Sequence, residues 1–316
     1  MARTTLDDLE TRDSDVDKWG IRKLYPSAGG DNAQEWYFDM EDPTSDPRLK
    51  NHKPRSNLKK VSEDGSWYVD GIAKYKQNGE EKQGKGEVRL EAWSKSKNRR
   101  WLNTEVTVYG QYIEDLPENF DQSKTAFQLY SGGGHHSKNH PCDAGGYKIR
   151  LFKDGNVAVR KEPLHPFYCE DRGKNKATEK EVRGRWIGLK QVRYNFEEDD
   201  KVFVANEIWI DDESDHDEKL DISNHWRRIA NVADKGGWGL SKDMKDEEKE
   251  KYKKERWRKD CDCMDQNVDR EHREIEDIIN MPGGTDEGNL AALRCDGVKL
   301  KFKFFSVREI IPPKSD

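Results

Sequence analysis

Apolar and polar residues alternate through the middle of the chain. In GGYKIRLF the apolar Ile149 and Leu151 alternate with the basic Lys148 and Arg150. In an extended strand, successive side chains point to opposite faces, so a period of two indicates a strand. Residues 153–156 then bring Asp-Gly between two such runs, which predicts a tight turn into VAVRKE. The pattern therefore predicts a β-hairpin with one apolar face and one largely basic face.

Alternating segments recur on both sides of this hairpin. SWYVDGIAKY, GKGEVRLEAW and LNTEVTVYGQYI predict three strands in a meander, each bounded by Gly, Asn or Ser. Residues 125–195 supply four more strands, 201–212 another, and 298–310 the last, which Pro312 and Pro313 end. About nine short strands separated by turn signals predict an all-β fold, namely a two-sheet antiparallel sandwich of the jelly-roll type.

Two segments depart from the strand pattern and set the predicted domain limits. Residues 1–60 are polar and interrupted by prolines, which predicts an irregular N-terminal arm with one short strand. Residues 61–316 are expected to form the jelly-roll domain. Within it, residues 241–280 carry Glu and Lys at i,i+4 spacing and few apolar positions. They predict an exposed, charged helical insertion near the C-terminus.

Composition and charge limit the classes of function. The chain has 316 residues, of which 32% are hydrophobic and 38% charged, so we expect one core and much surface. Its 57 basic and 63 acidic residues nearly balance, which argues against a nucleic-acid-binding protein with a single basic face. We find no apolar signal-peptide core and no apolar stretch of the ~18 residues that a membrane span needs. We therefore expect neither nucleic acid nor membrane as a partner, and the sequence does not indicate a compartment.

The cysteines leave the redox state open. The chain has five, an odd number, so at least one thiol stays free or pairs between chains in an oxidising compartment. Cys142 and Cys169 lie on either side of the central hairpin and could form a disulfide that anchors its loop. Reduced thiols are the default state for a chain without a signal peptide.

Basic and aromatic residues around the central hairpin mark the predicted binding surface. His135, His136 and His165 lie in loops at its two ends, where an imidazole can bind or titrate, or simply occupy a polar loop. Trp238 lies between glycines in KGGWG, which predicts an indole face open to stack on a sugar ring. The predicted ligand-binding residues are Lys148, Arg150, Lys161, His165, Lys190 and Trp238.

Several segments resemble a known group of β-sandwich proteins. GGYKIRLFKDGNVAVRKE, RWIGLKQVRYN, EIWIDD, DKGGWG and FKFFSVREI are similar to segments of the concanavalin A-like lectin and glucanase group, in particular its alginate-lyase and laminarinase-like members. The resemblance covers residues 65–310. It implies a jelly roll whose concave sheet holds an extended polysaccharide.

The resemblance to alginate lyases implies candidate catalytic residues. Elimination at a uronate needs a cation or amide to neutralise the carboxylate and a base to take the proton alpha to it. Arg89, between Glu87 and Glu91 in GEVRLEAW, is similar to the family's R-x-E-x-R strand without its first arginine. FQLYSGGGHH is similar to the family's Gln-x-His strand, with Gln128 in place and the histidines displaced to His135 and His136.

The family's last strand normally supplies a catalytic tyrosine. FKFFSVREI has none, so Tyr147 or Tyr194 would have to replace it from another strand. This departure favours a protein that binds glycans without cleaving them. The predicted catalytic residues are Arg89, Gln128, His135, His136 and Tyr194.

Carboxylates in ANEIWIDD allow two further interpretations. Glu207 and Asp211 share a face, and glycosidases use two carboxylates that flank the scissile bond. Asp211 and Asp212 could alternatively hold a structural calcium through their oxygens, or lie in a solvated loop. We expect no other cofactor to be required.

These observations lead to one favoured function and one alternative. The favoured function is a polysaccharide lyase that cleaves acidic, uronate-containing glycans by β-elimination, because histidine, arginine, lysine and tyrosine cluster near the hairpin. The alternative is a non-catalytic carbohydrate-binding lectin or a structural module of a viral particle or cell surface. Both predict a polysaccharide as the partner.

Overall fold

The computed structural model describes most of the chain. The described residues are 15–29, 33–51, 58–96, 99–115, 124–134, 145–163, 168–213, 220–238, 247 and 288–313. They form seventeen β-strands and one short 3-10 helix, Pro43–Ser45. Within these residues, no helix has the length and apolar character to cross a membrane.

The strands are numbered in chain order. They are β1 (Glu35–Tyr37), β2 (Leu49–Asn51), β3 (Leu58–Lys60), β4 (Trp67–Asp70), β5 (Ile72–Gln77), β6 (Glu80–Lys85), β7 (Glu87–Trp93), β8 (Thr104–Asp115), β9 (Thr125–Gly133), β10 (Gly146–Phe152), β11 (Asn156–Glu162), β12 (Asp171–Lys176), β13 (Trp186–Glu198), β14 (Lys201–Asp211), β15 (Arg227–Asp234), β16 (Leu290–Asp296) and β17 (Val298–Glu309).

These strands form two large antiparallel sheets and one hairpin. The larger sheet has the order β15-β14-β13-β8-β17-β4-β3, with β1 added on β17. The smaller sheet has the order β12-β11-β10-β9-β16-β7-β2, and β5 and β6 pair only with each other. The protein is thus an all-β, two-sheet antiparallel sandwich of the jelly-roll type, as the sequence predicts.

Strands that follow each other in the chain often lie in different sheets. The three segments from Trp67 onward do form strands, but β4 and β8 belong to the larger sheet and β7 to the smaller one. The predicted meander is therefore wrong. Alternation identifies a strand and its buried face, but it does not say with which strand the backbone pairs.

The core lies between the inner faces of the two sheets. Leu90, Leu129 and Ile149 point inward from the smaller sheet, and Val108 and Leu189 point inward from the larger one. All five side chains are fully buried. Because side chains alternate along a strand, the polar residues between them in the smaller sheet lie on its outer face.

Residues of the predicted N-terminal arm contribute to both sheets. They supply three short strands, β1 to β3, where the sequence predicts one. Phe38 lies in the core with its ring centroid 5.0 Å from that of Phe302. Residues 15–29 lie across the outer face of the larger sheet, where Ile21 and Leu24 pack on aromatic side chains. The predicted helical insertion at 241–280 lies, apart from Glu247, outside the described residues and stays a prediction.

The predicted turn of the central hairpin is confirmed. It joins β10 to β11, and Gly155 has a positive φ of 78° that an L-residue with a side chain rarely adopts. A Cβ at this position would also collide with the carbonyl oxygen of Thr178. Asp154 supports the turn by accepting a hydrogen bond from the Asn156 amide at 3.0 Å.

We expect Gly155→Ala to lower the free energy of unfolding by about 2–3 kcal/mol, because it adds left-handed backbone strain to a steric clash. Gly184→Ala is the matched control. Gly184 has a similar φ of 75° but no atom within 4 Å of the added Cβ, so only the backbone cost of about 1–2 kcal/mol applies. Urea unfolding measures both values. Equal losses in the two variants would show that the contact with Thr178 relaxes without cost.

Candidate functional site

Two rows of polar residues cross the outer face of the smaller sheet. Strand register places Arg89 opposite Arg294, Arg294 opposite Gln128, and Gln128 opposite Arg150. The neighbouring row, two residues along each strand, runs through Glu91, Ala292, Tyr130, Lys148 and Arg160. We call the first the arginine row and the second the lysine row.

The two arginines at the β7 end of the arginine row are held by acidic partners. Arg89 pairs with Glu87, and Nη2 of Arg294 lies 3.1 Å from the same Glu87 carboxylate. Asp296 accepts from Nε of Arg294 at 3.0 Å. Arg89 is only 6% exposed, yet its Nε and Nη1 have no hydrogen-bond partner among the residues that the structure describes. A buried donor without a partner costs free energy, so an acceptor that reached these N–H groups would be bound favourably.

Lys148 lies in the lysine row and is 3% exposed. Its Nζ is 2.6 Å from the carboxylate of Glu162, which is fully buried, and 4.2 Å from the ring centroid of Tyr168. Burial lowers the pKa of Lys148 to about 7, while Glu162 opposes this and the nearby Arg294 and Arg89 reinforce it. Near neutral pH the amine therefore exists in both protonation states, as a general base requires.

A small cleft joins the two rows. Its lining consists of Arg89, Glu91, Tyr130, Lys148, Leu290, Ala292 and Arg294. Burial raises the pKa of Tyr130 well above 10, so its hydroxyl stays protonated. The cleft thus brings together a guanidinium edge that has no partner in the described segments, an amine that can lose its proton, and a phenol. These groups can bind a carboxylate and move a proton beside it.

The far end of this face carries an ion cluster. Arg150 and Arg160 both donate to Asp171, at 2.9 and 2.7 Å, and Arg150 also donates to the hydroxyl of Thr125 at 2.9 Å. One carboxylate therefore accepts hydrogen bonds from two guanidinium groups. The cluster fixes β10, β11 and the start of β12 together.

The structure brings four of the sequence-predicted site residues together. Arg89, Gln128, Lys148 and Arg150 lie on the outer face of the smaller sheet. Gln128 stands between Arg294 and Arg150 and donates to Asp296 at 3.3 Å. His135, His136 and His165 lie outside the described residues, and their roles stay predictions.

Lys161 and Tyr147 lie inside the sandwich, away from this face. Both contact Asp234 on β15 of the larger sheet: Nζ of Lys161 is 3.0 Å from its carboxylate, and the Tyr147 hydroxyl donates to it at 2.6 Å. All three side chains are buried. Lys161 therefore links the two sheets. The sequence predicts it as a ligand-binding residue, but its side chain is buried inside the sandwich.

Trp238 is fully buried, so the prediction of an open indole face is wrong. Gly236 and Gly237 both have positive φ, which lets the chain turn the indole inward. There the guanidinium of Arg172 lies 4.6 Å from its ring centroid. Glycines beside a tryptophan thus supplied backbone freedom for burial and did not expose the ring.

Lys190 and Tyr194 lie on the outer face of the other sheet. Nζ of Lys190 is 2.6 Å from Glu105, and both groups are buried beneath residues 15–29. Tyr194 packs there near Tyr25, whose hydroxyl donates to Glu207 at 2.9 Å. Neither Tyr147 nor Tyr194 therefore reaches the cleft that contains Arg89.

The acidic residues at the end of β14 are occupied by protein donors. Tyr109 and the backbone of Asn224 donate to Asp211 at 2.7 and 3.0 Å. Arg227 pairs with Asp212 at 2.6 Å and, with hydrogen bonds, lowers its pKa although burial alone would raise it. No group of three or more potential metal ligands occurs within the described segments. Calcium at Asp211 and Asp212 stays a prediction.

The thiols in the described segments are buried. Cys169 and Cys295 are both free, so the disulfide between Cys142 and Cys169 is not present. Burial raises the pKa of Cys169 to about 12, which keeps it a protonated thiol of low reactivity. Cys142 lies outside the described residues.

Several residues of the cleft were missed by sequence reasoning. Tyr130 follows Gln128 by two positions in FQLYSGG, so alternation places both on one face and could have identified it. Arg294 faces Arg89 only because β16 inserts between β7 and β9. No local pattern indicates that pairing, and the same is true of the contact between Lys148 and Glu162.

Comparisons with known proteins assign no family to the chain. No family model and no curated protein sequence matches the chain. A protein of unknown function with a galectin-like fold from Bacillus subtilis has a TM-score of 0.39 and 8% identity, over 92% of this chain and 100% of that one. An alginate lyase from Chlorella virus has a TM-score of 0.32 and 9% identity, over 75% of this chain and 88% of that one.

Proposed function

We propose that the outer face of the smaller sheet binds an acidic polysaccharide and cleaves it by β-elimination at a uronate. One observation supports the proposal: Arg89, whose Nε and Nη1 have no hydrogen-bond partner within the described part of the chain, lines the same cleft as Lys148. Each guanidinium there already has an acidic partner, so directional N–H groups, and not net charge, would bind the ligand's carboxylate.

The mechanism follows from the chemistry of these groups. A carboxylate bound by Arg89 and Arg294 loses part of its negative charge, which acidifies the proton on the adjacent carbon. The neutral amine of Lys148 takes that proton. The electron pair forms a carbon–carbon double bond and the bond to the glycosidic oxygen breaks. Tyr130, which stays protonated, is the acid that lines the same cleft and can protonate the leaving oxygen.

An absorbance assay tests the proposal directly. The unsaturated uronate product absorbs in the near ultraviolet, whereas the substrate does not. The panel contains alginate, polyglucuronate and polygalacturonate, with a neutral glucan as the negative control. A rise in absorbance with at least one acidic polymer is expected. Binding without any rise would replace the enzyme with the lectin alternative, and absence of both would reject the assignment of this face.

We expect Arg89→Lys to lower kcat/KM by about 10- to 150-fold, equivalent to about 1.5–3 kcal/mol for a hydrogen bond to a charged group. The lysine keeps the positive charge but loses the planar fork that binds a carboxylate through two N–H groups. Arg183→Lys is the matched control, because Arg183 is exposed beside the larger sheet and donates to the Ile113 carbonyl at 2.9 Å. Equal kinetics in both variants would show that Arg89 does not contact the substrate.

A further inference from the structure

Residues 15–29, which we call the strap, fill a groove on the outer face of the larger sheet. Ile21 and Leu24 of the strap are buried and belong to one apolar cluster with Tyr109 and Trp226 of the groove. No described strand precedes the strap in the chain, so its release would not pull a strand out of either sheet. The strap therefore lies in the groove as a bound peptide would.

Asn224 holds the strap by its main chain. Its side-chain oxygen accepts from the Arg22 amide at 2.8 Å, and its side-chain nitrogen donates to the Gly20 carbonyl at 2.9 Å. Asn224 has a φ of 58°, which asparagine tolerates better than most residues, and its own amide donates to Asp211 at 3.0 Å. The side chain that binds the strap is thus fixed by the sheet beneath it.

The ion pair at the floor of the groove also binds the main chain of the strap. Glu105 accepts from the Leu24 amide at 3.0 Å, and Lys190 donates to the Arg22 carbonyl. When a protein binds an extended segment in this way, main-chain hydrogen bonds give affinity and pockets for side chains give specificity. Here the side chains that enter the groove are those of Ile21 and Leu24.

The first half of the strap has a folded shape of its own. Val16 and Arg22 form an antiparallel bridge within it, and the Asp17 carboxylate accepts from the amides of Trp19 and Ile21 at 2.9 and 3.0 Å. These bonds join residues of the strap to each other and do not involve the groove. A segment that is already ordered loses less conformational entropy when it binds.

We propose that the strap is exchangeable, so that residues 15–29 of a second copy of the chain bind this groove and two copies form a dimer by reciprocal exchange. The two straps have the same sequence, so each contact is remade between copies. The groove is closed while a strap fills it, which restricts the occupant to a segment that replaces the strap and remakes its bonds. This inference does not depend on the proposed function, which concerns the smaller sheet.

A labelled peptide of residues 15–29, DVDKWGIRKLYPSAG, tests the groove by fluorescence anisotropy on the full chain. Leu24→Ala in the protein weakens its own strap and leaves the groove unchanged. We expect this variant to bind the peptide at least about 30-fold more tightly than the parent, because apparent affinity follows the fraction of open grooves. A peptide N-methylated at Leu24 lacks the N–H that Glu105 accepts and should bind about tenfold more weakly or worse.

Two further variants control for folding. Leu58→Ala makes the same change at a partly buried position on β3, at the edge of the larger sheet, and should keep the parent's affinity for the peptide. If Leu24→Ala does not fold, Ile21→Val removes a single methyl group from the strap and should raise the affinity by about 2- to 12-fold.

Sedimentation of the parent tests the exchange between copies. At about 1 mM, near the effective concentration of a short intramolecular link, we expect dimers that an excess of the peptide converts into monomers. Dimers that persist in the peptide, or a parent that stays monomeric at this concentration, would overturn the proposal. So would a folded Leu24→Ala that does not bind the peptide, or an equal gain in affinity in Leu58→Ala.

Discussion

Lys148→Arg is expected to lower the turnover of an acidic glycan by about 10²- to 10⁴-fold, the contribution of a well-placed general base. Arginine keeps a cation beside Glu162, which is fully buried and 2.6 Å from the lysine. It does not lose its proton in the accessible pH range, so it cannot accept one from the substrate. Binding of the glycan should survive, because the N–H groups of Arg89 remain. The kinetic assay and calorimetry on the same preparation separate the two effects.

The pH dependence of the parent protein provides an independent check on this role. A base must be unprotonated, and the pKa of Lys148 is lowered to about 7 mainly by burial. Activity should therefore rise with pH through about 7 and level off above it. Lys59→Arg, on the opposite sheet, should show the parent profile. A turnover that is unchanged in Lys148→Arg, or a profile that falls over this range, would remove Lys148 from the mechanism.

Glu105→Gln is expected to lower the free energy of unfolding by about 3–5 kcal/mol, because it removes the negative charge from a buried ion network and leaves the cations in place. Glu105 is 2.6 Å from Nζ of Lys190 and 2.7 Å from Nη2 of Arg308, and it also accepts from the backbone of Leu24 at 3.0 Å. All three charged side chains are buried. The amide leaves Lys190 and Arg308 buried without the carboxylate that both contact. Urea or thermal unfolding measures the loss.

A control and an acid titration separate this network from a general effect of charge removal. Glu114→Gln makes the same change on the same strand, but Glu114 is half-exposed in its pair with Lys299, so a loss within about 1 kcal/mol is expected. Burial by itself raises the pKa of Glu105, yet Lys190 and Arg308 lower it below its ordinary value of 4.5. A lowered carboxyl pKa stabilises the fold above that value and the contribution is lost as pH falls. The difference between parent and Glu105→Gln should therefore narrow below about pH 4.5.

The strands and the central hairpin were predictable because alternation and turn motifs are local features of the sequence. Alternation in GYKIRLF and the Asp-Gly turn specify β10, β11 and the hairpin between them, and both are present. Alternation also places Arg89 between Glu87 and Glu91 on one face of β7. It does not reveal that β16 inserts between β7 and β9, because that pairing joins residues separated by most of the chain.

The candidate site was predictable only in part for the same reason. Lys148 and Arg150 were identified from the polar face of a single hairpin. The low pKa of Lys148 depends on burial and on Glu162, Arg294 and Arg89, which reach it from other strands. Lys161 and Lys190 carry the same charge on similar strands, yet one pairs with Asp234 inside the sandwich and the other with Glu105 on the opposite sheet. The position of a strand in the fold therefore decides on which face of which sheet its lysine lies.

The central positions of β16 and β17 determine when the protein can fold during synthesis. β16 lies between β7 and β9 in the smaller sheet, and β17 lies between β4 and β8 in the larger one. Both are translated after every other described strand. Until then each sheet consists of two separate halves with unpaired inner edges, which are templates for association with other chains. The nascent chain therefore stays dependent on protection from aggregation until residues 290–309 leave the ribosome and join the halves of both sheets.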